Sequence, residues 1–114
     1  MDRDPEASGF GAEILGEMQQ FREVILGIKY HHEHWDGRKS IFGLRREEIP
    51  LLARILSVAD TFDALTSDRP YRAKRRREDA IGEIRRCSGT QFDPVVVEAF
   101  LRWADSTNRR HQAP

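Results

Sequence analysis

The sequence predicts an all-α protein, a helical bundle of about five helices. Three observations lead to this fold class. Apolar residues recur at intervals of three and four along most of the chain. No segment alternates apolar and polar residues in the manner of a half-buried strand. The 114 residues are 39% hydrophobic and 33% charged, a balance typical of one charge-rich folded domain rather than of a disordered chain.

Two helices are expected in the first third of the chain, after an N-terminal extension at residues 1–10. The first covers residues 12–18, where three apolar residues share one side: Ile14, Leu15 and Met18. The second covers residues 21–32 and has its own apolar stripe: Phe21, Val24, Ile25 and Ile28. The chain should then reverse near Asp36-Gly37, because this dipeptide favours turns.

A loop at residues 38–46 separates these helices from the third. Pro50 lies in the first turn of the third helix, where its missing N–H costs nothing, and the helix runs to Thr66. The fourth helix is predicted at residues 78–87, before the glycine at position 89.

The fifth helix begins after Asp93, which is expected to be its N-cap, with Pro94 in the first turn. Residues 106–114 are predicted to form a flexible tail. Residues 11–105 are therefore expected to be the folded domain.

Charge and composition argue against several classes of function. The formal net charge is zero, so no overall field draws the protein to nucleic acid or to a membrane. No apolar run approaches the roughly 20 residues that span a bilayer, and the first ten residues lack the features of a signal peptide. The single cysteine, Cys87, excludes an internal disulfide and suits a reducing compartment. These features predict a cytoplasmic protein.

His31 and His32 are adjacent at the end of the second predicted helix. Neighbouring helical side chains point about 100° apart, so both can serve one metal cluster only by binding different ions or different sides of it. Imidazole suits first-row transition metals. Two surface histidines at a helix end remain the alternative, because a His-His pair has no specific ligand geometry.

Asp60 lies in the middle of the third predicted helix. Aspartate is unfavourable there because its short side chain competes for backbone groups. Asp63 lies three residues further on, on the same side of the helix. The two carboxylates are interpreted either as a metal ligand with a hydrogen-bond acceptor or as two groups on the solvated face.

Arg69 and Arg72 flank Pro70-Tyr71 at the start of a basic stretch that ends at Arg77. Two guanidiniums beside a rigid proline and an aromatic ring can clamp phosphate oxygens. A turn with solvated arginines accounts for the same residues. The rest of the basic stretch is interpreted as a solvated face or an interaction surface.

The order of these segments resembles the HD-GYP family. The runs HHEHWDG, IPLLARILSVADTFDALTSDRPYR and FDPVVVEAF are similar to the C-terminal half of that family, over about residues 11–101. The family is an all-helical branch of the HD-type metal phosphohydrolases, and its members typically hydrolyse cyclic di-GMP. The resemblance implies a partial HD-domain-like fold.

The resemblance also implies roles for single residues. His31 and His32 match the paired histidine ligands of the family's metal cluster, and Asp60 matches its late aspartate ligand. Three more residues match those that contact the cyclic dinucleotide: Asp63, Arg69 and Arg72. The implied cofactor is a divalent metal, iron or manganese, and the implied reaction is attack of a metal-activated hydroxide on phosphorus.

Two departures from the family pattern lower the expectation of catalysis. No His-Asp dipeptide occurs in the chain. The family's Asp-Gly-x-Gly-Tyr-Pro-x-Gly-Leu is DGRKSIFGL here, with Lys39, Ser40 and Ile41 in place of Gly, Tyr and Pro. Lys39 indicates a loop that needs no glycine-only conformation, and the loss of proline is expected to loosen it. Three ligands are also too few for a binuclear centre.

Two functions follow as expectations. The first is an HD-GYP-type metal-dependent phosphohydrolase that acts on cyclic di-GMP or derives from enzymes that do. This chain by itself is expected to be catalytically incomplete, and it could even lack a bound metal. An upstream domain or a partner chain would then have to supply the rest of the metal site. The second is a non-catalytic remnant that binds a cyclic dinucleotide or another protein. Apolar helix faces left uncovered predict self-association.

Overall fold

The structure, a computed structural model, describes the backbone of residues 5–112 and the side chains of residue 9 and residues 11–107. Four helices follow one another along the chain: α1 (Pro5–Tyr30), α2 (Leu51–Thr66), α3 (Arg77–Arg86) and α4 (Pro94–Gln112). A single 3-10 turn at Arg46–Glu48 precedes α2. No β-strand forms in the described part of the chain, so the all-α prediction is confirmed, with four helices instead of about five.

The difference in number comes from α1, which is one continuous helix where two were predicted at residues 12–18 and 21–32. Gln19 and Gln20 join the two predicted segments. Glutamine is a good helix former, so nothing in the local sequence ends the helix there. Pro5 occupies the first helical position, where a proline is well tolerated.

The other helices lie close to their predicted positions. α2 ends at Thr66 as predicted, and α3 is displaced by one residue from the predicted 78–87. Gly89 follows α3 with a φ of +87°, a conformation that favours glycine. Asp93 caps α4, since its Oδ1 accepts the Val95 N–H at 2.9 Å.

The helices extend into both ends of the chain, beyond the predicted folded domain at residues 11–105. The helical backbone includes residues 5–10 of the predicted extension and residues 106–112 of the predicted tail. Residues 1–4 and 113–114, which belong to the same two predictions, lie outside the described residues. The division itself stays a prediction.

α2 is the central element, since α1, α3 and α4 all pack against it and α3 also contacts α4. The buried core consists of Val58, Ile84, Phe92 and Val97. Beside it, the Phe62 ring meets the rings of Phe100 and Trp103 at centroid distances of 5.2 and 6.0 Å. Within residues 5–112, none of the helices combines the length and the apolarity that crossing a bilayer requires.

α1 meets α2 near its own C-terminal end, at the buried Gly27. A Cβ at this position would lie 2.8 Å from Leu52 Cγ, so the two helices approach as closely as a glycine allows. This contact brings the end of α1 beside the middle of α2, which places the histidine pair next to Asp60.

Candidate functional site

The histidine pair lies in a turn beyond the end of α1, because the Glu33 N–H donates to the Tyr30 carbonyl at 3.0 Å and the helix stops at Tyr30. The second helix was predicted to include His32, and that prediction is wrong. Outside a helix the 100° separation does not apply. The His31 and His32 rings lie 3.9 Å apart between centroids, tilted by 39°, and both line one small pocket.

Asp60 lines the same pocket from α2, with its Oδ2 at 3.8 Å from His31 Nε2. The other ring nitrogen of His31, Nδ1, lies 2.5 Å from the Ile28 carbonyl oxygen. A carbonyl can only accept, so Nδ1 carries the proton, and in the neutral imidazole Nε2 presents a lone pair. In the neutral form of His31, a nitrogen lone pair and a carboxylate oxygen thus face each other across the pocket.

The facing pair fits a metal cation. Two atoms that each lie about 2.1 Å from one ion can be at most about 4.2 Å apart, and the observed 3.8 Å is within that limit. The pocket has a volume of about 70 Å³, more than the roughly 30 Å³ that one water occupies in the liquid. Among the described residues, however, no three His, Cys, Asp or Glu side chains converge into a complete metal-binding group.

Four further residues, none of which was selected from the sequence, line the pocket: His34, Ser57, Thr61 and Gln91. Gln91 lies in the connection between α3 and α4. Its carbonyl accepts the Trp35 N–H at 3.0 Å, which holds the connection beside the histidines. The Asp36 N–H likewise donates to the Thr90 carbonyl at 2.9 Å. These two bonds join the segment after the histidines to the α3–α4 connection, a long-range pairing that no local pattern reveals.

The three predicted substrate contacts lie outside this pocket. Asp63 is exposed on α2, one turn after Asp60, and Arg69 is exposed in the segment that follows the helix. Arg72 is half-buried, and its Nη2 donates to the Ala64 carbonyl near the end of α2 at 2.8 Å. Arg69 and Arg72 also exchange two backbone hydrogen bonds, of 2.9 and 3.1 Å, around Pro70-Tyr71. The segment is thus a tight turn in which Arg72 satisfies a carbonyl at the helix end.

Glu33 is a residue whose importance the sequence did not predict. It is only 2% exposed, and its carboxylate accepts hydrogen bonds from the Ser40 hydroxyl and from three backbone N–H groups, those of Ile41, Phe42 and Leu44. Burial raises the pKa of Glu33, but the hydrogen bonds from Ser40 and the three N–H groups together outweigh it, so the pKa lies below its usual value. The carboxylate is therefore charged and bound to the loop. Its position between two histidines was the one feature of the sequence that could have drawn attention to Glu33.

Comparisons with known proteins show the family to which the chain belongs. A family model described as HD domain matches residues 8–96. A cyclic di-GMP phosphodiesterase of Thermotoga maritima is 49% identical over 72 residues, which are 63% of this chain and 20% of that protein. The cyclic di-GMP phosphodiesterase response regulator RpfG of Xanthomonas campestris is 41% identical over 105 residues, 90% of this chain and 27% of that protein.

A solved structure is similar as well. The crystal structure of a cyclic GMP-AMP-specific phosphodiesterase of Vibrio cholerae matches with a TM-score of 0.62 and 32% identity, covering 73% of this chain and 19% of that one. The chain thus spans about a fifth to a quarter of the length of these relatives. The family model covers most of the chain, and so the chain belongs to the HD domain family, which confirms the resemblance to HD-GYP proteins seen in HHEHWDG and ADTFDALTSDRPYR.

Proposed function

We propose that this chain is part of an HD-GYP-type phosphodiesterase for cyclic dinucleotides, with His31, His32 and Asp60 as metal ligands. The observation that carries the proposal is the pair of acceptors, His31 Nε2 and Asp60 Oδ2, that face each other at 3.8 Å with His32 beside them. Relatives named as phosphodiesterases for cyclic di-GMP and for 3'3'-cGAMP support the substrate class. Imidazole and carboxylate ligands suit iron or manganese.

The residues of the chain hold and orient the groups that this chemistry needs. When bound, such a metal lowers the pKa of a water and neutralises charge on phosphoryl oxygens. The Ile28 carbonyl fixes the His31 ring so that Nε2 faces the pocket, as an outer hydrogen bond does for many histidine ligands. Asp60 contributes a negative charge from the rigid helix α2.

For the substrate contacts we propose Asp63, Arg69 and Arg72. The exposed guanidinium of Arg69 is available to a phosphate, whereas Arg72 already donates to the Ala64 carbonyl. Arg72 Nη1 is buried and has no hydrogen-bond partner among the described residues, so a ligand oxygen would satisfy this donor once neighbouring groups move aside to expose it. Arg72 would then join the phosphate site to the end of α2.

We also propose that this chain by itself is catalytically incomplete. Three candidate ligands leave several coordination positions to water, and the described residues do not converge into a three-ligand group. A second candidate function follows from the same observation, a domain that binds a cyclic dinucleotide or another protein without hydrolysing it.

The test combines metal analysis, hydrolysis and calorimetry on the purified chain. We expect manganese to bind, with weaker binding in Asp60→Asn, and no hydrolysis of cyclic di-GMP. Calorimetry should detect cyclic di-GMP binding that Arg69→Ala weakens and that Arg85→Ala, at an exposed position on α3, does not. Absence of manganese binding contradicts the metal site, and efficient hydrolysis contradicts incompleteness. If no binding heat appears at high micromolar ligand, the binding-domain alternative fails.

Self-association and a cytoplasmic location complete the proposal. Large apolar side chains are exposed on α1, among them Leu15 at 68% and Phe21 at 68%. Contiguous apolar surface of this kind marks an interaction site. The cytoplasmic location is proposed from composition, since a chain with a single cysteine, Cys87, needs no oxidising compartment to form an internal disulfide.

A further inference from the structure

The loop at residues 40–44 stands where the HD-GYP pattern has Tyr-Pro, and in this chain it carries Ser40 and Ile41 instead. The loss of proline was expected to loosen the loop. Lys39, at the position of the missing glycine, does not adopt a positive φ, whereas Gly43 does, at +80°. Without the proline, the loop is held by hydrogen bonds.

These bonds converge on one carboxylate, that of Glu33. Its Oε1 accepts the N–H groups of Ile41 and Phe42, the second at 3.1 Å. Its Oε2 accepts the Leu44 N–H at 3.1 Å and the Ser40 hydroxyl. A buried charge needs such compensation, and neutral donors of a single loop supply it. Ser40, which replaces the tyrosine, is itself one of the donors.

The backbone of Glu33 is fixed at the same time. Its N–H donates to the Tyr30 carbonyl at 3.0 Å, and two residues later the Trp35 N–H donates to the Gln91 carbonyl at 3.0 Å. On either side of Glu33, the side chains of His32 and His34 line the pocket that also contains Asp60. The Glu33 carboxylate therefore joins the 40–44 loop to the short segment that carries the two imidazoles.

We propose that Glu33 is a positioning residue, whose carboxylate locks the 40–44 loop and thereby holds His32 and His34 at the pocket. The expected effect of Glu33 on metal binding rests on the proposed function, whereas its expected effect on the loop does not. The Ser40 hydroxyl is one of the four groups of the loop that donate to this carboxylate.

Glu33→Gln is the main variant, because it keeps the size of the side chain and replaces one acceptor oxygen by an NH₂ group that faces donors. Ser40→Ala removes a single hydrogen bond, and Ser40→Thr keeps the hydroxyl. Amide hydrogen exchange by NMR reports the loop through the Ile41, Phe42 and Leu44 N–H groups. The Val97 amide of α4 reports the fold as a whole.

In Glu33→Gln we expect protection of the three loop amides to fall at least about tenfold while Val97 keeps its protection. Ser40→Ala should show a smaller loss that Ser40→Thr restores. Ring resonances of His32 and His34 should shift in Glu33→Gln without metal. Manganese affinity should fall about tenfold, the lower end of the range for supporting residues at metal sites, because Glu33 acts on His32 through the chain and not through a hydrogen bond to its ring.

Unchanged loop protection in Glu33→Gln overturns the proposal. Lost protection with unmoved histidine resonances also overturns it, since Glu33 is then only a structural residue of the loop. If Glu33→Gln fails to fold, the Ser40 variants give the same comparison at one bond. A wild-type chain that binds no manganese contradicts the proposed function, whereas the exchange and histidine measurements still decide the role of Glu33.

Discussion

Arg54 on α2 forms an ion pair with Asp93, the N-cap of α4, at 2.8 Å between Nη1 and Oδ2. The side chains are only 17% and 3% exposed. The same guanidinium donates from Nε to the Ile49 carbonyl at 2.8 Å and lies 5.9 Å from the Trp35 ring. One arginine thus connects two helices with the segment that follows the histidines, and Asp93 both caps a helix and neutralises that arginine.

Asp93→Ala is expected to destabilise the protein by about 3–5 kcal/mol, because it leaves a largely buried arginine without its counter-ion and removes a helix cap. Asp93→Asn should cost less, since the amide oxygen can still accept the Val95 N–H. Chemical denaturation followed by circular dichroism gives the free energies of unfolding. Glu98→Ala breaks the exposed pair with Arg102 and should cost less than about 0.5 kcal/mol. Equal losses in the buried and the exposed pair contradict this account.

Gly27 and Gly82 offer a matched pair of helical glycines. A Cβ at Gly27 would lie 2.8 Å from Leu52 Cγ and 3.2 Å from Leu52 Cβ, whereas a Cβ at Gly82 meets nothing within 4 Å. Gly82→Ala should therefore stabilise by about 0.5–1 kcal/mol through helix propensity. Gly27→Ala should destabilise by about 1–3 kcal/mol, because α1 and α2 must move apart. Thermal melts measure both changes, and a stabilised Gly27→Ala would show that the helices are not in close contact.

The parts of the fold that could be predicted are those with local signals. Asp93 marks the start of α4 correctly, whereas Pro50, predicted in the first turn of α2, is the N-cap residue just before it. Both signals are local, because a proline and a cap act within one helical turn. The continuity of α1 was missed, since Gln19 and Gln20 neither break a helix nor add to an apolar stripe. Its end at Tyr30 depends on a turn that the sequence does not mark.

For the site, sequence reasoning selected three residues, His31, His32 and Asp60, that the structure places at one pocket. Their role as metal ligands stays a prediction. The loop contacts of Glu33 and the helix-end contact of Arg72 could not be predicted from the sequence, because the partners lie 7–11 and 8 residues away. Hydrogen bonds to backbone groups that far along the chain, unlike a helix cap, leave no trace in side-chain patterns.

Cys87 provides a pH-dependent prediction. Burial raises the pKa of its thiol above the usual value, Glu83 adds to this, and Arg86 opposes it. Alkylation by iodoacetamide, which needs the thiolate, should therefore have a higher pH midpoint in the folded protein than in urea. Because the folded pKa is the higher one, the thiol contributes stability that is present below the unfolded pKa and is lost as the pH rises through the folded pKa. Identical midpoints in the two states contradict burial of the thiol.

Self-association is expected to depend on the apolar face of α1. Leu15, Met18 and Phe21 are each at least 62% exposed, and the radius of gyration of 18.7 Å exceeds the roughly 13 Å of a compact chain of 100 residues. Phe21→Glu places a charge on this face and should weaken dimerisation by about tenfold or more, equivalent to at least about 1.4 kcal/mol. Gln20→Glu adds the same charge at a neighbouring polar position and should have little effect. Sedimentation equilibrium over a range of concentrations measures both, and a wild-type chain that stays monomeric at high concentration contradicts the prediction.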